Sequence, residues 1–119
     1  MSFKEDNLIQ IKTFEFALKI IKFYIQCKSQ NEFILSKQIL RCGTSIGANV
    51  EEGVAAQSKK DFISKLSIAN KEARETRYWL RLYQSSNLVQ IEIDSYLKEI
   101  ESIINILTRS LKLHLKIYN

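Results

Sequence analysis

The amino-acid sequence predicts an all-α protein: an antiparallel up-down-up-down four-helix bundle in which residues 1–119 form a single domain. Three observations lead there. No residue among the 119 is proline and only three are glycine, which removes the usual punctuation of sheets and tight turns. Apolar residues recur at steps of three and four through four long segments, and the breaks between them are short enough to force neighbouring helices antiparallel. Hydrophobic residues make up 45% of the chain and charged residues 26%, a composition that can bury a core and contains no long polar run.

In the first segment Leu8, Ile11, Phe14, Leu18, Ile21 and Ile25 share one helical face and are predicted to be the buried one. Lys28 to Glu32 is a polar break. The second stripe runs Leu35, Ile39, Cys42, Ile46, Asn49, Gly53 and Ala56 in heptad register. Ser58-Lys59-Lys60-Asp61 reads as a capping box: the serine oxygen accepts a backbone N–H three residues on, and the acid reaches back. The third stripe then follows as Phe62, Leu66, Ala69, Ala73, Thr76, Leu80 and Tyr83, ending in Gln84-Ser85-Ser86-Asn87. With Asp94 or a neighbour as cap, the fourth runs Ile93, Leu97, Ile100, Ile104, Leu107, Leu111 and His114. Tyr96, Ile103, Ile106, Leu113 and Ile117 widen this last stripe beyond a single face, which predicts burial against another subunit.

The segment Arg41 to Gly53 conflicts with its surroundings, because glycine costs a helix roughly 1 kcal/mol relative to alanine and polar groups resist burial. Gly43 and Gly47 follow no strand and precede no phosphate-loop lysine, so they are expected to admit another helix at close range or to bend the second helix near Gly47. Arg41, Ser45, Ala48 and Glu52 flank the second stripe, and Lys65, Ile68, Glu72, Glu75, Trp79 and Leu82 flank the third. Folding the two helices back on one another sets Arg41 opposite Glu72 or Glu75. A semi-buried ion pair is expected there, within a structural polar network that also includes Asn49 and Glu52.

Catalysis finds little support. No nucleophile is paired with a base, and the single histidine, His114, rules out the Glu-x-x-His pairs of di-iron bundles, so no metal and no cofactor are expected. Cys27 and Cys42 have no CxxC spacing and read as free thiols of a cytoplasmic protein. The first residues carry no apolar targeting region, and no run approaches a membrane span.

The formal net charge is +5, with a pI near 9.2. Its distribution is the main pointer to a partner. Asn70, Arg74, Arg77 and Arg81 are spaced to point one way, with Lys59, Lys60, Lys65 and Lys71 nearby; Arg109, Lys112 and Lys116 form a second run, and Lys12, Lys19 and Lys22 stud the first helix. Such a surface can track phosphates, and the competing reading is a solvated face laced with Glu–Arg pairs. Tyr78 and Tyr83 are interleaved with the patch but are too few to argue base stacking by themselves.

The pattern Arg41-x-x-x-Ser45-Ile46-x-x-Asn49-Val50-x-Glu52-Gly53, then Ser58-x-x-Asp61-Phe62 and the run from Leu66 to Leu80, resembles a family of bacterial four-helix-bundle proteins. The family includes the proteins encoded in intervening sequences of 23S ribosomal RNA genes, together with their relative, the accessory variability determinant of diversity-generating retroelements. The resemblance spans about Leu8 to Lys116. It implies a homopentamer with a central pore that presents a basic surface to nucleic acid, RNA or DNA, and, for the retroelement relative, to a reverse transcriptase. Glu51 stands where the family often has a small apolar residue, and Gly47 where many members have proline. The expectation is a non-enzymatic, oligomeric nucleic-acid-binding protein, directed at structured RNA, with Lys59, Lys60, Lys71, Arg74, Arg77, Arg81, Arg109, Lys112 and Lys116 as candidate contacts. The alternative is an oligomeric scaffold that recruits an enzyme such as a reverse transcriptase.

Overall fold

Four helices account for most of the backbone in the computed structural model, which describes residues 3–118, with side chains described from 7 to 116. They are α1 (Phe3–Ser29), α2 (Leu35–Val54), α3 (Lys59–Ser86) and α4 (Asp94–Tyr118). Each helix packs on the next, and α4 returns to α1 to close the ring with the least extensive of the four contacts. Among the described residues α1 and α3 make no such contact, nor do α2 and α4, so these are the two diagonals of an antiparallel bundle measuring 47 × 21 × 21 Å.

Local chemistry sets the ends. Asn31 takes the left-handed conformation (φ 65°) after α1, and the Glu32 N–H closes back on the Cys27 carbonyl at 2.9 Å. The Glu32 carboxylate then starts α2 by accepting the N–H groups of Ile34, Leu35 and Ser36 at 3.0, 2.8 and 2.9 Å. The same carboxylate accepts the Tyr83 hydroxyl at 2.6 Å, which ties the start of α2 to the end of α3. A residue that reads in the sequence as part of a polar break is therefore a structural anchor. The serine half of the predicted capping box forms, with the Asp61 N–H donating to Ser58 Oγ at 3.1 Å. Asn87 (φ 54°) ends α3, and at α4 the cap is the neighbour of Asp94: Glu92 accepts both the Ser95 N–H and its hydroxyl.

The core contains most of the predicted stripes of α2, α3 and α4, with Ile39, Ile46, Leu66, Ala73, Leu80, Ile100 and Leu107 fully buried; in α2 Val50 is buried where Asn49 was expected, and Asn49 is half-buried. The predicted face of α1 is wrong. Leu8, Ile11, Phe14, Leu18, Ile21 and Ile25 are 41–62% exposed, and Ile9, Thr13, Phe16, Ile20, Phe23 and Cys27 fill the interior. Both sets follow three-and-four spacing, so periodicity by itself cannot choose between them.

The glycines of α2 make the choice. A Cβ on Gly43 would lie 2.9 Å from Cγ1 and Cγ2 of Ile20, and one on Gly47 would lie 3.3 Å from the Thr13 carbonyl oxygen. These glycines admit α1 at close range, and Ile20 and Thr13 are the residues they admit. Gly53 does the same for Leu66 on α3. The α4 surplus also resolves differently from expectation: Ile103 is buried within the chain, Tyr96 and Ile106 are half-buried against its core, Leu113 is exposed, and the Ile117 side chain lies outside the described residues. The large unpartnered apolar face belongs to α1.

Candidate nucleic-acid interface

The buried residues of α3 lie along one side of the helix, and at 100° per residue the opposite side carries Lys60, Ser67, Lys71, Arg74, Tyr78 and Arg81. All six are exposed. They extend over about 30 Å at 1.5 Å per residue. Glu75 borders this face, but its carboxylate turns to α2 and bonds Arg41, as that of Glu72 does from further round the helix. Among the described residues Lys60, Lys71, Arg74 and Arg81 have no carboxylate within ion-pair distance.

Other members of the predicted run are diverted. Asn70 and Arg77 do not point with Arg74 and Arg81; they turn to α4, where Asn70 Nδ2 donates to Thr108 Oγ1 at 3.5 Å and Arg77 donates to Glu101 at 2.8 Å. Arg77 is thus half-buried and neutralised. Lys59 sits at the end of the bundle, lining a shallow pocket with Phe62 and His114. Tyr83 is 1% exposed and packs edge-on against Phe23, so of the two tyrosines expected in the patch only Tyr78 reaches the surface. On α1, Lys19 pairs with Glu99 and Lys12 donates to Ser102.

The contacts from Asn70 to Thr108 and from Arg77 to Glu101 fix the register of α3 against α4, placing Arg109 and Lys112 level with residues 66–69 of α3. Both line an open trough on α4 with Lys98, Ser102 and Asn105, and exposed Lys116 lies one turn further on. The second basic run therefore lies beside the Lys60 to Arg74 half of the first.

On the α2 side of α3 the predicted ion pair forms with both acids: Arg41 bonds Glu75 and reaches Glu72 at 3.4 Å. Trp79 Nε1 donates to Glu75 at 3.2 Å, bracing that carboxylate. The burial is one-sided, with the Arg41 side chain 53% exposed and Glu72 only 16%. Glu52 does not join this cluster; it faces Lys65 at 3.7 Å, one helical turn after Asn49, whose amide bonds Ser45 on its own helix. Glu51 accepts from Gln10 of α1 at 3.3 Å. The segment Arg41–Gly53 is thus a packing device, and only its last residues, Glu52 and Gly53, border shallow pockets at the end of the bundle.

Two further groups remain in the interior. Burial pushes the Cys27 and Cys42 thiols up to about 11, which keeps both protonated and unreactive. His114 is buried and stacks edge-on against Phe62 at 4.9 Å. Among the described residues no three His, Cys, Asp or Glu side chains are grouped to hold a metal, and no helix is long and apolar enough to cross a membrane.

The model of the 23S rRNA-intervening sequence protein family matches residues 5–109. Among solved structures, the chain is similar to a protein of unknown function from the S23 ribosomal protein family of Bacteroides thetaiotaomicron. The two share 44% identity with a TM-score of 0.85, over 91% of this chain and 98% of that one. No curated protein matches it.

Proposed function

The chain belongs to the 23S rRNA-intervening sequence protein family, and from that premise we propose that it is a non-enzymatic, self-assembling protein that binds structured RNA through the outer face of α3 and the adjoining end of α4. The observation that carries this reading is the outer face of α3, on which Lys60, Lys71, Arg74 and Arg81 stand without acidic partners among the described residues. A solvated helix face laced with ion pairs would alternate its charges. This face does not, whereas the α2-facing side of the same helix does.

Self-assembly rests on α1. Its six exposed apolar side chains bare on the order of 500 Å² of apolar surface, at the upper end of the largest patch that soluble monomers carry. The occupant we assign is a second copy of the chain, because Leu, Ile and Phe at three-and-four spacing form a seam that interdigitates with another like itself. Since α1 and α3 are diagonal and each turns its outer face away from the core, copies joined through α1 leave their basic faces on the outside of the assembly. Assembly to five copies, which the family resemblance implies, is a mass measurement.

The test of RNA binding is fluorescence anisotropy with ribosomal RNA fragments at 50 and 200 mM salt. Contact with about four to seven phosphates weakens affinity roughly 10²- to 10³-fold over that range. The triple variant K71Q/R74Q/R81Q should bind more weakly with a flatter salt dependence. Absence of binding by the unmodified protein at low salt refutes the proposal. A second reading, a scaffold whose α1 stripe seats a different protein such as a reverse transcriptase, draws on the same apolar face; capture of that enzyme surviving nuclease and high salt would favour it.

A further inference from the structure

Among the described residues Tyr78 is the one aromatic on the outer face of α3, and its placement is specific. It lies near the centre of the side of α3 opposite the core, one turn after Arg74 and just under one turn before Arg81. Its side chain is 54% exposed. The neighbouring Trp79 ring meets it edge-on, with centroids 5.6 Å apart and an interplanar angle of 65°. Trp79 is itself held by its bond to Glu75, which Arg41 anchors, so the support behind Tyr78 reaches back to α2. No lysine or arginine among the described residues covers the Tyr78 ring, although such a contact forms between Lys28 and Tyr24 on α1.

An exposed, braced aromatic ring with unpaired cations one turn to either side is the arrangement that captures an unstacked base: the cations hold the backbone and the ring takes the base. A duplex offers such a face phosphates, sugars and base edges but no free base face, because its bases are stacked inside. We propose that Tyr78 is a base-stacking residue, and that the RNA recognised on this face has unpaired nucleotides, as in the loops and bulges of a structured RNA, with Arg74 and Arg81 on the phosphates flanking the stacked base.

This inference rests on the RNA-binding reading above, and the experiment separates the two. Affinity is measured by anisotropy for a short single-stranded RNA and for a duplex RNA of equal length, using the full chain and the variants Y78A, Y78F, Y78L and R74Q/R81Q. Thermal unfolding serves as the check on fold. Loss of one stack weakens single-strand binding roughly 5- to 100-fold in Y78A. Y78F retains the unmodified affinity, Y78L fails to restore it, and duplex binding changes less than twofold. The slope of log affinity against log salt stays the same in Y78A and flattens in R74Q/R81Q. If R74Q/R81Q weakens binding while Y78A leaves single-strand affinity unchanged, the base-stacking role is overturned and RNA binding stands. An equal loss on single strand and duplex overturns it too. Failure of the unmodified protein to bind either RNA removes both readings.

Discussion

Glu32 gives the sharpest test of how this bundle is held together. Its carboxylate accepts three backbone N–H groups at the start of α2 and the Tyr83 hydroxyl from the end of α3. In Glu32→Ala the helix loses its cap, at about 1 kcal/mol. The Tyr83 hydroxyl also loses its acceptor in a residue only 1% exposed, which costs roughly 1–3 kcal/mol. The sum, about 2–4 kcal/mol, is a large share of the stability of an ordinary domain and corresponds to a fall in Tm on the order of 10 °C. Urea and thermal unfolding at one fixed protein concentration measure it, because the midpoint of any protein that self-associates depends on concentration. Tyr83→Phe removes the stranded hydroxyl, so the double variant should be more stable than Glu32→Ala by roughly 1 kcal/mol. The pH dependence has a definite sign. Burial of Glu32 opposes its ionisation, but the bonds from Tyr83 and from the backbone of Leu35, Ser36 and Ile34 outweigh that and hold the carboxyl below its ordinary value. A depressed pKa contributes stability that is present above the unfolded value near 4.3 and is lost as pH falls through the folded one. The gap between the unmodified protein and Glu32→Ala should therefore close in acid. A loss below about 0.5 kcal/mol, or strictly additive effects of the two substitutions, would refute the shared anchor.

Two further outcomes follow from the α1–α2 and α2–α3 contacts. Gly43→Ala gains about 1 kcal/mol of helix propensity but drives a methyl group against Ile20, an overpacking cost of roughly 1–3 kcal/mol. Urea unfolding should show a net loss that Ile20→Val partly relieves, and a stabilised Gly43→Ala would contradict the close approach. Arg41→Ala should cost about 1 kcal/mol, since the arginine is half exposed while Glu72 is left partly buried without its partner. Much of the difference should vanish in 1 M salt if the interaction is the ion pair.

The fold was largely legible in the sequence because α2, α3 and α4 each carry one dominant apolar stripe, and the Ser58 cap and the polar break at Gln84–Asn87 mark boundaries by local chemistry. The pairing of Arg41 with Glu72 and Glu75 was legible for the same reason: once two helices are known to be antiparallel, sequence separation sets which flanks face each other. Glu32 was not legible as an anchor, because three of its partners are backbone N–H groups that leave no mark in the sequence and the fourth, Tyr83, comes from the far end of α3. Arg77 was misassigned to the free basic face for a related reason. Spacing places it beside Arg74 and Arg81, but Glu101 of α4 claims it, and only the α3–α4 register brings that carboxylate within reach.

The first helix marks the limit of what sequence by itself determines here. Four amphipathic segments, their order, their antiparallel course and the packing role of Arg41 to Gly53 all follow from local preference and periodicity. Which side of α1 turns inward does not, since Ile9, Phe16, Ile20 and Phe23 compete with Ile11, Phe14, Leu18 and Ile25 on nearly equal terms. Tertiary packing decides it, because Gly43 and Gly47 leave room on α2 for a close neighbour, filled by Ile20 and Thr13. That one rotation leaves the second apolar stripe unpartnered on the outside. It also sets that stripe on the opposite side of the bundle from the basic face of α3.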